Sequence, residues 1–135
     1  MSGGSPTERT LQEWRSRGAI ADVVERWISA PDGAGGFRTR GHKKDLFGFI
    51  DIVVVHENRI IGVQATSGDH VAHRLTKIKE ECAAKAIRWL EAGGLLQVIG
   101  WKKYAKREGG RLWRPIERWV TLEDVRPVVA VEVPA

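Results

Sequence analysis

Cysteine is almost absent from this chain. Cys82 is the only one among 135 residues, which excludes an internal disulfide and a thiolate zinc cluster and fits a reducing, cytoplasmic setting. No run approaches the roughly 18 consecutive apolar residues of a transmembrane helix, so no membrane partner is expected. The stretch from Met1 to Pro6 is small and polar and lacks the basic and apolar regions of a signal peptide. Internal repeats and low-complexity tracts are missing too. Acidic charge is in deficit, with 17 Asp and Glu against 22 Lys and Arg, a net charge of +5.

What is present belongs to a globular protein. The apolar fraction is 42% and the charged fraction 29%, which argues against disorder, collagen and coiled coil. The length suits one domain with a real core. We expect residues 1–135 to form it, with 1–5 and 125–135 as peripheral tails. The basic excess suits a polyanionic partner, and its distribution strengthens that reading. Arg38, Arg40, Lys43 and Lys44 fall together with no acid among them. A second cluster holds Lys102, Lys103, Lys106, Arg107, Arg111, Arg114 and Arg118 against only Glu108 and Glu117.

The local signals give an order of elements. Ser5-Pro6-Thr7-Glu8 has the form of a capping box, with proline at the first helical position. A helix is expected from Pro6 to about Arg17, stopping at Gly18. Residues 19–28 read as a strand or as continued helix. Residues 29–44 read as a long glycine-rich loop. Residues 47–56 and 60–66 read as two strands of an antiparallel hairpin around the turn 57–59. From His70 to Ala92 the apolar period becomes helical, and Gly93-Gly94 ends the helix. Residues 95–101 and 112–121 read as strands joined by a polar segment. Valines near the C-terminus add an edge strand or pack. The fold class is therefore α/β, a mixed sheet flanked by helices in the order α-β-β-β-α-β plus a C-terminal strand.

The chemistry concentrates in the hairpin. Asp51 interrupts the apolar run from Phe49 to Val55, where an ionised carboxylate needs a partner, water or a cation. In the next strand, Gln64 and Thr66 point to one face. If the pairing brings that face beside Asp51, the three form one polar site; otherwise Asp51 is a hydrogen-bonded structural carboxylate. His70 and His73 lie three apart on the following helix, without a third ligand at zinc spacing. Among the six tryptophans, Trp89 falls on the apolar helix stripe, while Trp101 and Trp113 sit beside basic residues and suit base stacking or core packing.

Gly48-Phe49-Ile50-Asp51 followed by Val63-Gln64-Ala65-Thr66 resembles the PD-(D/E)XK nuclease superfamily, which includes restriction endonucleases, Holliday-junction resolvases and VRR-NUC nucleases. The resemblance covers roughly residues 8–101 and is closest to small phage or prophage proteins carrying Asp-Leu-Phe-Gly-x-x-Asp and Gln-x-Thr-Ser, here residues 45–51 and 64–67. It implies a restriction-endonuclease-like core and a metal-dependent phosphodiesterase, a DNA endonuclease using Mg²⁺ or Mn²⁺. It also implies a cytoplasmic location in a bacterial or phage-infected cell, and allows a homodimer. Asp51 matches the family's metal-binding Asp. Gln64 stands where a second metal carboxylate is expected and Thr66 where the catalytic Lys is expected. A Gln oxygen ligates Mg²⁺ but supplies no charge. The resemblance then points to Lys77 or Arg74, on the helix after the hairpin, for the missing cation. It points to Glu25, with Asp45 as a further possibility, for an additional carboxylate. The metal set is Asp51, Gln64 and Glu25. The nucleic-acid contacts are Arg38, Arg40, Lys43, Lys44, Lys102 and Lys103. The alternative is a catalytically degenerate nuclease-fold protein that serves as a nucleic-acid-binding or assembly module.

Overall fold

Hydrogen-bonding demands along two apolar strand runs organise the molecule, a computed structural model that describes residues 4–31, 39–106 and 109–127. Side chains are described for all of these except residues 29–31, 39 and 40. Helix α1 spans Pro6–Ser16, with the Ser5 hydroxyl accepting from the Glu8 amide at 3.2 Å. It stops at Gly18, whose φ of 90° is open to glycine at little cost.

Five strands form the main sheet: β1 (Ile20–Val23), β4 (Ile52–His56), β5 (Arg59–Ser67), β6 (Leu95–Ala105) and β7 (Arg111–Trp119), ordered β1-β4-β5-β6-β7. The pairings are antiparallel except β5 with β6, so the sheet is mixed. The connection from β5 to β6 runs through a 3-10 turn at Gly68–His70, then α2 (Val71–Glu81) and α3 (Ala83–Glu91). A short helix, α4 (Leu122–Val125), follows β7. Strands β2 (Arg26–Pro31) and β3 (Thr39–Lys44) form a separate antiparallel ribbon. With that ribbon set aside, the order is the expected one: helix, three strands, helices, two strands.

The sheet divides the core in two. On one face Trp14 of α1 packs with Ala21, Ile52, Val54, Val63 and Ile99. On the other, Val71, Ile78 and Ala86 of the helices cover Phe49, Ile50, Leu96 and Val98. The helices lie very close to β6. A Cβ on Gly100 would collide with Val71 and come within 3.0 Å of the Gly68 backbone.

Several expected boundaries are corrected. The strand expected over 47–56 begins only at Ile52. Phe47 and Gly48 have φ of 57° and 88°, so the chain turns there, closed by Leu46 N–H to Ile50 C=O at 2.8 Å. The turn folds Phe49 and Ile50 into the core instead of extending them. The single helix over 70–92 is two helices, because the backbone at Cys82 leaves helical geometry (φ −122°, ψ 8°). Both halves contribute to the core on this face, through Ile78 and Ala86. Residues 19–28 contribute two strands, and Thr39–Lys44, expected as loop, pairs with β2. Gly41 is not a loop breaker there: its missing side chain makes room for the Trp27 ring. The polar segment joining the last two strands is shorter than expected, since the pairing of β6 and β7 continues to Ala105 and Arg111. Val125, placed by sequence in a peripheral tail, is 3% exposed. The C-terminal valines at 128, 129, 131 and 133 lie outside the described residues. No helix among the described residues is long and apolar enough to cross a membrane.

Candidate functional site

Asp51 sits at the point where β4 and β5 part. Its amide still donates to the Val63 carbonyl at 3.0 Å. One step further the ladder has no β4 backbone to offer, and the Asp51 side chain replaces it: Oδ2 accepts from the Ala65 amide at 2.9 Å. Asp51 is 5% exposed, and its Oδ1 is buried without a hydrogen-bond partner among the described residues. Gln64 projects beside it and is 2% exposed. Its Nε2 donates to Asp45 Oδ2 at 3.2 Å, and its own Oε1 is buried with no partner among the described residues.

Backbone contacts bring the other carboxylates in. Because β1 runs antiparallel to β4, the residues after it pass alongside Asp51. The Val24 and Glu25 amides both donate to the Asp51 carbonyl, at 2.8 and 3.3 Å. Glu25 is thereby fixed at the site, where Lys43 of β3 approaches it at 3.4 Å. Asp45 follows β3 directly and starts the Phe47-Gly48 turn, accepting from the Gly48 amide at 3.1 Å through its carbonyl. The helix supplies the cations. Arg74 and Lys77, three apart on α2, share a face and line the same cleft. Arg74 Nε is buried without a partner among the described residues.

These groups enclose a cleft of about 480 Å³ whose walls also include Thr66 and the N-terminal turn of α1 at Ser5 to Thr7. The cleft opens at the C-terminal end of β5, the usual position for a ligand in an α/β sheet. The electrostatics are uneven. Burial, with the charges of Asp45 and Glu25, pushes the Asp51 carboxyl up to about 7, against the Ala65 hydrogen bond that holds it down. Burial and the adjacent Glu25 carboxyl also raise Asp45, opposed by Lys77 and Arg74.

The sequence-derived site residues Asp51, Gln64, Thr66, Glu25, Arg74, Lys77 and Lys43, with the further candidate Asp45, thus line one cleft. Other expectations place differently. Lys102 and Lys103 project to opposite faces of β6. Lys102 lies by Gly68 on the face of Gln64 and Thr66, whereas Lys103 stands over the Trp113 ring at 5.2 Å, against which Arg9 of α1 also packs. Neither Lys102 nor Lys103 lines the cleft itself. Lys44 borders a neighbouring depression with Arg26. Arg38 lies outside the described residues, and of Arg40 only the backbone position opposite Ala30 is described. His70 hydrogen-bonds Ser67 Oγ at 2.6 Å in an exposed position, and neither His70 nor His73 lines the cleft. Trp101 is core, its Nε1 donating to Thr10 Oγ1 at 2.9 Å. Sequence reading missed the start of α1 as a wall of the cleft; the capping signal at Ser5 marked the helix but not its direction.

No three His, Cys, Asp or Glu side chains among the described residues converge as a ready metal cage. The donor set nonetheless suits a hard cation. Two buried oxygens, Asp51 Oδ1 and Gln64 Oε1, lack donors among the described residues, and oxygen ligands completed by water are what Mg²⁺ favours. Arg74 and Lys77, which line the same cleft, supply donors for an anionic oxygen-rich group. No family model, curated protein or solved structure matches the chain.

Proposed function

We propose that this protein is a metal-dependent phosphodiesterase acting on DNA, built on a restriction-endonuclease-like core as a Gln-x-Thr variant of the PD-(D/E)XK pattern. The observation that carries the reading is the pair of buried oxygens, Asp51 Oδ1 and Gln64 Oε1, without a partner among the described residues, on side chains that line one cleft with Arg74 and Lys77. Unsatisfied buried polar atoms are costly, and a bound cation would satisfy both of these at once.

Asp51, Gln64 and Asp45 would hold Mg²⁺ or Mn²⁺, with Glu25 at the edge of the set. Such an ion, when bound, polarises a phosphate oxygen and acidifies a coordinated water. The chain's own residues do the rest. Gln64 fixes the orientation of Asp45 through Nε2, and Ala65 fixes that of Asp51. Arg74 and Lys77 neutralise charge that builds on the phosphate oxygens. Thr66, uncharged and buried, shapes the wall without supplying that charge. Lys43, Lys44 and Lys102 hold the DNA backbone at the rim. The location is the cytoplasm of a bacterial or phage-infected cell.

A catalytically degenerate DNA-binding module is the second reading, favoured by the replacement of the usual charges at Gln64 and Thr66. Incubating the protein with single-stranded, duplex and branched DNA, with Mg²⁺ or Mn²⁺ and with chelator, separates the two. Metal-dependent cleavage supports the enzyme; tight metal-independent binding with no cleavage supports the module.

A further inference from the structure

Phe47 occupies a place that local energetics do not favour. Its φ of 57° lies in the left-handed region, uncommon for a bulky residue, and the residue is 46% exposed. Backbone strain held at a surface position points to a use for the side chain. The ring leans on Phe49 and Trp89, with centroids 6.5 and 6.3 Å away, so one side is supported while the other faces solvent.

The surroundings are basic. Three depressions meet at Phe47, of about 570, 440 and 370 Å³. They adjoin the carboxylate cleft, since Asp45 lines the first as well as the cleft and Lys77 lines the second as well as the cleft. Their cations are Arg26, Lys44, Lys77, Lys85 and Arg88, against the two carboxylates Asp45 and Glu81. A basic track leading from a reaction cleft to a supported, exposed aromatic ring suits a polyanion whose bases are free to stack. Duplex DNA does not offer this, because its bases already stack on one another.

We propose that this groove binds single-stranded DNA, with Phe47 as a stacking platform for one base and Lys85 and Arg88 along its backbone. The inference rests on the phosphodiesterase reading for the direction of the strand and assigns it a single-stranded or unpaired substrate. Binding, however, needs neither metal nor turnover, so the two stand or fall separately.

The test is fluorescence anisotropy in chelator with a labelled oligothymidylate of about a dozen nucleotides, against a duplex of equal length. Wild-type protein should prefer the single strand. Phe47→Asn is the informative variant, because asparagine tolerates the left-handed backbone better than phenylalanine. It should keep or raise Tm while weakening single-strand binding by about five-fold or more, the low end for loss of one stacked base. Phe47→Tyr should restore binding. Lys85→Glu, at an exposed position on α3, should weaken binding independently of any change at the turn. Equal affinity in Phe47→Asn and wild type, no effect of Lys85→Glu, or preference for duplex would each overturn the proposal. Single-strand binding lost in Phe47→Asn supports it whether or not the protein cleaves DNA.

Discussion

Asp51 commits one carboxylate oxygen to the Ala65 amide, at 2.9 Å, and leaves the other buried with no donor among the described residues. The first oxygen completes a strand ladder that β4 has abandoned. The second is the buried acceptor on which the site turns, and most of what can be tested follows from it.

Stability should depend on pH through Asp51. Its folded value near 7 lies above the ordinary 3.8. Below the ordinary value both folded and unfolded chains hold the proton and there is no penalty. As pH rises from about 4 to about 7, the unfolded chain has released the proton and the folded chain retains it, so stability falls. The full penalty is on the order of 4 kcal/mol. Asp51→Asn removes the titration. In urea titrations the variant should therefore gain stability over wild type on going from pH 5 to pH 8. A pH-independent difference between the two would contradict the buried, unpartnered carboxyl.

Divalent metal should reverse that penalty. Millimolar Mg²⁺ or Mn²⁺ should raise the Tm of wild type at pH 8 by stabilising the ionised form, as any ligand of the folded state does. Asp51→Asn should show no such shift. An equal shift in both would place any metal elsewhere.

Gln64→Glu should act in two directions. Without metal it removes the donor to Asp45 and adds a buried carboxyl beside two carboxyls whose values are already raised. That should cost about 1–3 kcal/mol in chelator. With metal the added charge should tighten cation binding. Calorimetric titration of metal, together with Tm in chelator, reads both effects. Lower metal affinity in Gln64→Glu would remove Gln64 from the ligand set.

DNA affinity should fall steeply with salt, and the two lysines of β6 should separate by face. Lys102→Glu should weaken binding and reduce the salt slope, by about one unit for each phosphate that is no longer neutralised. Lys103→Glu, on the α1 side with Trp113, should change little. Reversing Lys43 and Lys44 to Glu should weaken binding to all sequences alike. Equal effects of Lys102→Glu and Lys103→Glu would mean that the basic surface acts only as a diffuse field.

The parts of this arrangement that were legible in sequence are those that break a local pattern. Asp51 in an apolar run and Gln64 in a buried strand stand out because each is costly where it lies. The antiparallel hairpin was legible from its short turn, which uses Glu57 and Asn58 at positive φ. Glu25 was reached only through the family resemblance, since its position depends on how β1 pairs with β4. The turn at Phe47 was hidden because residues 47–50 carry the composition of a strand, and only Gly48 hints otherwise. The break at Cys82 was hidden because the apolar stripe continues through it. That Lys102 and Lys103 part company follows from strand register, which extends beyond where their polar composition suggested a loop.

The most direct measurement is metal-dependent DNA cleavage by wild type and Asp51→Asn, assayed side by side on single-stranded and branched substrates with Mn²⁺ and with chelator. Wild type is expected to cut only with metal, and Asp51→Asn, folded at least as stably at pH 8, is expected not to cut. Full activity in Asp51→Asn, or cleavage by wild type that survives the chelator, would contradict a phosphodiesterase centred on Asp51.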